Sequence, residues 1–403
     1  MRSSLVRSCS FSALALLAAC DKHAETPKIK LGFIALTDCA PLVIAQEKGL
    51  FVKHGLPNVE VVKQASWAST RDNLELGGAR GGIDGADILT PMIYQLSEGI
   101  GTKDGKAVPM QLLARLDLDA QSISASDKLP GMTPTNAAPL KGKMAKVAMT
   151  YPGGTHDLWI RYWLASNGLD PDKDVDLMVV PPPQMVANMK VGNLDALCVG
   201  EPWGQQLINQ HLGYTVATSQ DIWKDHPEKS LGLRKDWVDA HPKATLALLE
   251  AVQEAQIWAD KPENKAELAQ ILSNRNWIGT PAADLLPRLK GDVDYGDGRP
   301  SHSNDPMKFW QDHASFPYKS HDVWFLAEMR RWGYFPKGVD YDKVVASVNR
   351  SDLWRKAAAE IGHGSDAPAT DSRGVETFFD GVKFDPANPE AYLASLKIKH
   401  LVK

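Results

Sequence analysis

The stretch Lys146-Val-Ala-Met-Thr-Tyr-Pro-Gly-Gly-Thr-His156-Asp-Leu-Trp-Ile-Arg-Tyr-Trp163 decides how the rest of the chain is read. Val147 to Met149 is a short apolar run that predicts a buried strand, and Tyr151-Pro-Gly-Gly154 is turn chemistry. From Thr155 onward the apolar positions Leu158, Tyr162 and Leu164–Ala165 recur at helical spacing. A glycine-rich turn between a strand and a helix start presents free backbone N–H groups and the positive end of the helix dipole, so an anion is the natural guest. Gly153 and Gly154 are candidates for that backbone contact, with His156 as a side-chain donor in the first turn. The same stretch also reads as a plain strand–helix junction capped by Thr155 with a surface histidine.

Working outward, the pattern repeats. Ile29–Ile34 and Val59–Lys63 read as strands flanking a helix through Pro41–Gly49 that Thr37-Asp38 caps. Ser66-Trp67 opens another helix, Gly81–Leu89 leads into a short strand, and another strand runs over Met110–Leu116. Past a hydrophilic insert from Ser126 to Gly142, a second set begins with the opening stretch. It continues with strands over Val175–Val180, before Gly200 and over Gly213–Ala217, and a helix opened by Glu201-Pro-Trp203 with Pro202 in its first position. Helices follow at Ala244–Ala259, Lys265–Leu272, Asp284–Leu289, Ser320–Trp332 and Tyr341–Val348, with a long loop from Lys290 to Ser315. The fold class is α/β: two similar β/α units around a cleft, hinged near Arg115–Asp119 and Leu231–Arg234, with a helix-rich C-terminal extension.

The 403 residues are 43% hydrophobic, enough for two cores. A net charge of −4 gives no broad basic field for nucleic acid, so any anion site must be local. The N-terminus carries Arg2 and Arg7 ahead of the apolar run Phe11–Ala19, too short to span a bilayer permanently. Leu17-Ala-Ala-Cys20 has the small residues of a lipoprotein cleavage site, with Cys20 as the lipidated residue, which would anchor the mature chain to a membrane surface. Asp21 after it resembles the signal that keeps such lipoproteins on the inner membrane. Of the remaining cysteines, Cys39 and Cys198 carry no pairing pattern and read as buried thiols.

Several motifs in one order are similar to those of the nitrate- and bicarbonate-binding proteins of bacterial ABC transporters. They are Thr37-Asp-Cys-Ala-Pro-Leu-Val43, Ser66-Trp-Ala-Ser-Thr-Arg-Asp-Asn73, Gly81-Gly-Ile-Asp-Gly85, Tyr151-Pro-Gly-Gly-Thr-His156, Pro181-Pro-Pro-Gln184, Gly200-Glu-Pro-Trp203 and His226-Pro-Glu-Lys229. The resemblance spans the whole mature chain. It implies a two-lobe periplasmic-binding-protein type II fold divided into a signal peptide (1–19), a lipid-anchored tether (20–28), the first part of lobe 1 (29–118), lobe 2 (119–230), and the rest of lobe 1 with an extension (231–403). It also implies a nitrate or nitrite ligand held by Trp67, Gln121, His156 and Lys229, an ABC permease and ATPase as partners, and no cofactor or catalysis. Gln121 stands in Asp119-Ala-Gln-Ser-Ile123, where relatives have Gly before Gln. Bicarbonate-binding relatives have an acidic residue in place of Lys229 and use calcium, so the lysine points to a metal-free anion site. The chemistry agrees: nitrate accepts hydrogen bonds only, Lys229 brings a charge and three donors, and a protonated His156 would add a second cation. Organic sulfonates are another anion that a related receptor would take. A nitrate-sensing regulator is the alternative of another class, disfavoured by Met1–Cys20. The chain has no HExxH, CxxC or GxSxG motif of an enzyme. His302, His313 and His321 read as loop contacts.

Overall fold

The computed structural model describes residues 26–301 and 306–401. Cys20, the apolar N-terminal run, the first part of the tether and His302 lie outside the described residues. Ten strands build two five-stranded sheets of the same design: β1 (Ile29–Phe33), β2 (Val59–Lys63), β3 (Gly85–Leu89), β4 (Met110–Arg115), β5 (Gln121–Ser126), β6 (Ala145–Met149), β7 (Val175–Val179), β8 (Ala196–Gly200), β9 (Gly213–Thr218) and β10 (Lys229–Arg234). The first sheet runs β2-β1-β3-β10-β4 and the second β7-β6-β8-β5-β9. In each, a parallel βαβ core receives one antiparallel strand that follows directly on a crossing from the other unit: β10 lies between β3 and β4, and β5 between β8 and β9.

The chain therefore crosses between units twice, at 116–120 and at 219–228. The first crossing lies at the expected hinge. The second does not: Leu231–Arg234 is the interior of β10, hydrogen-bonded on both sides, and cannot act as a hinge. Lys229 accordingly belongs to the first sheet. β5 is absent from the sequence reading because Gln-Ser-Ile-Ser-Ala-Ser carries just one large apolar residue, Ile123, in an alternation otherwise made of small and polar side chains. All six residues are nevertheless buried, since helices cover both faces of the sheet.

The helix Pro242–Asp260 packs on Ala40–Glu47 and on Ser351–Glu360, and Lys319–Arg331 packs on Thr90–Ser97, so the C-terminal region belongs largely to the first unit. It also reaches the second. Tyr162 Oη donates to Asp380 Oδ1 (3.1 Å), and the Phe379 N–H donates to the Ile222 carbonyl (2.9 Å). Trp159, Trp223 and Trp324 form one buried aromatic cluster with ring centroids 5.0–6.4 Å apart, completed by Tyr162 and Phe378. Each such pair adds about 0.5–1.5 kcal/mol beyond its burial. The cluster also fixes His226 against the Trp159 ring, 4.1 Å between centroids, just ahead of Glu228 and Lys229.

Candidate functional site

The units meet where β10 begins and β8 ends. Across this junction the Thr37 N–H donates to the Glu201 carbonyl (2.7 Å), Trp203 Nε1 to the Ala35 carbonyl (3.0 Å), and Gln95 Nε2 to the Pro152 carbonyl (3.1 Å). The cleft is closed, and Trp67, His156, Glu228 and Lys229 each have no exposed surface.

Lys229 is the first residue of β10. Its ammonium donates to Asp38 Oδ2 (2.7 Å) and Glu228 Oε1 (2.6 Å), and its N–H donates to Asp117 Oδ1 (3.0 Å). Burial alone would lower the lysine's pKa, but Asp38 and Glu228 outweigh it and hold the ammonium above its ordinary value. Trp67 opens the helix Trp67–Leu76, whose N-cap Ser66 accepts from the Ser69 N–H (3.1 Å). The Lys229 Nζ stands 5.7 Å from the Trp67 ring centroid. The buried Trp67 indole N–H has no acceptor within the protein, which is a cost a folded chain rarely tolerates without a ligand or water.

His156 comes from the second unit, in the first turn of the helix Thr155–Ser166. Its Nε2 lies 3.0 Å from Glu228 Oε1 and its Nδ1 2.7 Å from Thr150 Oγ1. Burial, then Lys229, push this imidazole down to about 4, so it is neutral at physiological pH. It therefore does not supply the second cation that a protonated ring would add. With an ionised Glu228, the neutral ring donates from Nε2 and accepts the Thr150 hydroxyl at Nδ1. Glu228 is raised by burial, but Lys229 and His156 more than offset that and bring it down to about 2. One carboxylate oxygen thus ties a cation of the first unit to a histidine of the second.

Gln121 opens β5 opposite Gly200. Its Nε2 lies 3.5 Å from His226 Nδ1 and its Oε1 has no partner, so it borders the cluster through His226. At Gly200 a Cβ would stand 3.3 Å from Asp38 Oδ2 and 3.4 Å from Glu228 Oε1, which makes this glycine the floor on which the two units' polar groups converge.

The glycine turn works differently from its expected role. The Gly153 N–H donates to Asp157 Oδ2 (2.7 Å) and the Gly154 N–H to the Tyr151 carbonyl (3.0 Å). Neither amide is free for an anion. Gly153 is there for its positive φ of 69° and because a Cβ would stand 2.5 Å from Gln95 Nε2. Gly154, not Thr155, is the N-cap. Likewise Asp38 does not cap a helix: its side chain is spent on Lys229, and Asp87 and Asp117 lie beside it. The sequence reading missed Asp38, Asp87, Asp117 and Glu228 as members of the site, although Glu228 adjoins Lys229 within the quoted motif. Glu201 does serve its helix start, accepting from the Gln205 N–H at Oε2 (3.1 Å).

Cys39 and Cys198 are both free and buried. Among the described residues, Asp170, Asp172 and His400 could converge on a metal, but Arg161 and Lys173 already pair with these carboxylates. His313 contacts the Asp366 carbonyl (2.9 Å), and His321 is buried 3.9 Å from Glu376.

Residues 22–273 match the NMT1-like family. The chain is 57% identical over 391 residues to the nitrate/nitrite binding protein NrtA of Synechococcus elongatus, covering 93% of this chain and 88% of the relative. It is 43% identical over 397 residues to the bicarbonate-binding protein CmpA of the same organism, at 93% and 88% coverage. Among solved structures, the periplasmic nitrate-binding protein NrtA from Synechocystis superposes with a TM-score of 0.90 at 54% identity, over 93% of this chain and 99% of that one.

Proposed function

We propose a receptor function from one premise: the chain belongs to the NMT1-like family and groups with the nitrate/nitrite-binding proteins of ABC transporters. It is a periplasmic solute-binding protein that captures nitrate, and nitrite as a second ligand, between its two lobes. The observation that carries the site assignment is the buried Trp67 indole N–H without an acceptor, beside the Lys229 ammonium, at the junction of both units. Nitrate is planar, singly charged and accepts hydrogen bonds without donating any. Trp67 offers a fixed neutral donor, Lys229 the third N–H of its ammonium, and Gln121 an amide within reach by a rotamer change. His156 acts as a neutral donor once its bond to Glu228 is shared. The anion loses its water on entry, and the lysine offsets that loss. Gly153 and Gly154 shape the turn and contact no ligand.

Higher identity to the nitrate/nitrite-binding relatives than to the bicarbonate-binding ones favours nitrate. Lys229 favours a site without calcium. The chain delivers its ligand to an inner-membrane permease driven by an ATPase, held near it by lipid on Cys20. Cys20→Ala should release the protein in unprocessed or soluble form, and a freely soluble wild type with an unmodified N-terminus would remove the anchor from this account. Calorimetry against nitrate, nitrite, bicarbonate with calcium, and taurine tests the ligand. Saturable heat for nitrate without a metal is expected, and heat only for bicarbonate with calcium, or only for taurine, would overturn it.

A further inference from the structure

The cluster around Lys229 has more acidic than basic side chains. Asp38 on the turn after β1, Asp87 on β3, Asp117 in the first crossing and Glu228 in the second all face one ammonium. Among the described residues, the other titratable side chains around it include His156 on its helix and His226 in the second crossing, both held below their ordinary range by burial, and the Cys39 and Cys198 thiols, which burial raises; Glu201 and Arg115 lie next out. Five carboxylate oxygens of the cluster lack a hydrogen-bond partner: Asp38 Oδ1, both oxygens of Asp87, Asp117 Oδ2 and Glu228 Oε2. Two of the three ammonium hydrogens are already taken, by Asp38 and Glu228. An anion entering here meets a cation whose charge is balanced before it arrives.

We propose that Asp38 and Glu228 determine which charge class of anion the cleft accepts. They occupy two donors of Lys229 and set a negative potential that a singly charged, weakly hydrated anion tolerates and a doubly charged one does not. This selectivity works by repulsion as much as by attraction. In a buried site, where salt screens little, each added ligand charge is opposed by both carboxylates at short range. The charge balance also depends on pH. Burial raises Asp38 and Asp87, so they take up protons more readily as pH falls and the repulsion weakens. Nitrate affinity therefore rises toward acid.

The inference rests on the nitrate reading, and one set of titrations separates the two. Wild type, Asp38→Asn and Glu228→Gln are titrated with sodium nitrate and sodium sulfate at pH 8 and pH 5.5, with folding checked by circular dichroism. Wild type should bind nitrate, more tightly at the lower pH, and give no sulfate heat. Either variant should bind nitrate about tenfold or more tightly at pH 8, show measurable sulfate binding, and Asp38→Asn should lose most of the pH dependence. If wild type gives no heat with nitrate, the receptor reading falls. If wild type binds nitrate and sulfate alike, or if the folded variants bind nitrate no more tightly and still reject sulfate, Asp38 and Glu228 merely position Lys229. Should one variant fail to fold, the other decides.

Discussion

Replacing Lys229 by alanine is the perturbation with the largest calculable consequence. The ammonium is fully buried and bonded to Asp38 at 2.7 Å and Glu228 at 2.6 Å. Its removal strands two carboxylates in a site without water access. Breaking a buried pair by deleting one partner costs about 3–5 kcal/mol. At about 2 °C per kcal/mol for a chain of this size, the unfolding temperature should fall by roughly 6–10 °C near pH 7.5. The loss must depend on pH in a defined direction. Without Lys229, Asp38, already raised by burial, rises further, and Glu228 rises above its unfolded value. The folded state then binds more protons than the unfolded one, so the variant's stability falls as pH rises and recovers as pH drops. Differential scanning calorimetry at pH 5 and pH 7.5 reads both effects, and nitrate binding should weaken about tenfold to a few hundredfold in parallel. A folded variant that melts with wild type at pH 7.5 would refute the claim that Lys229 holds the carboxylate cluster together.

Trp67→Phe removes the unpaired indole donor beside Lys229, so nitrate affinity should fall about tenfold or more while thermal stability is retained; an unchanged affinity would free Trp67 from the site. The His156 imidazole should stay neutral from pH 8 down to about pH 5, since it is pushed down to about 4, and nitrogen NMR showing a midpoint near the usual histidine value would contradict its pairing with Thr150 and Glu228. Burial raises the Cys39 and Cys198 thiols well above their ordinary value, so both should resist a thiol reagent in the native protein and react only on unfolding.

The architecture was legible where physical patterns are local. Val147–Met149 and the helix from Thr155 stood out because apolar periodicity changes across a turn, and both occur in the structure. β5 was not legible, because its serines are buried by helices whose positions no local window reveals. The hinge placed at Leu231–Arg234 failed for a related reason: a strand that crosses from the far half of the chain looks like a connector until its neighbours β3 and β4 are known. In the site, Lys229 and His156 meet through Glu228. The carboxylates that balance Lys229 come from 191 and 112 residues away, from Asp38 and Asp117. Burial, which no local window reveals, keeps His156 neutral despite the neighbouring Glu228. Gly153 and Gly154 carried the right signal, a tight turn before a helix, but their amides close the turn itself.

The central claim is that one nitrate lies between the two units, against Trp67 and Lys229. A crystal structure of the protein grown with nitrate tests it most directly. The account predicts a planar anion within hydrogen-bond reach of Trp67 Nε1 and Lys229 Nζ, with His156 and Gln121 on the side of the second unit. Nitrate bound elsewhere, or a cluster around Lys229 that stays unchanged at saturating nitrate with the indole N–H still unpaired, would contradict it.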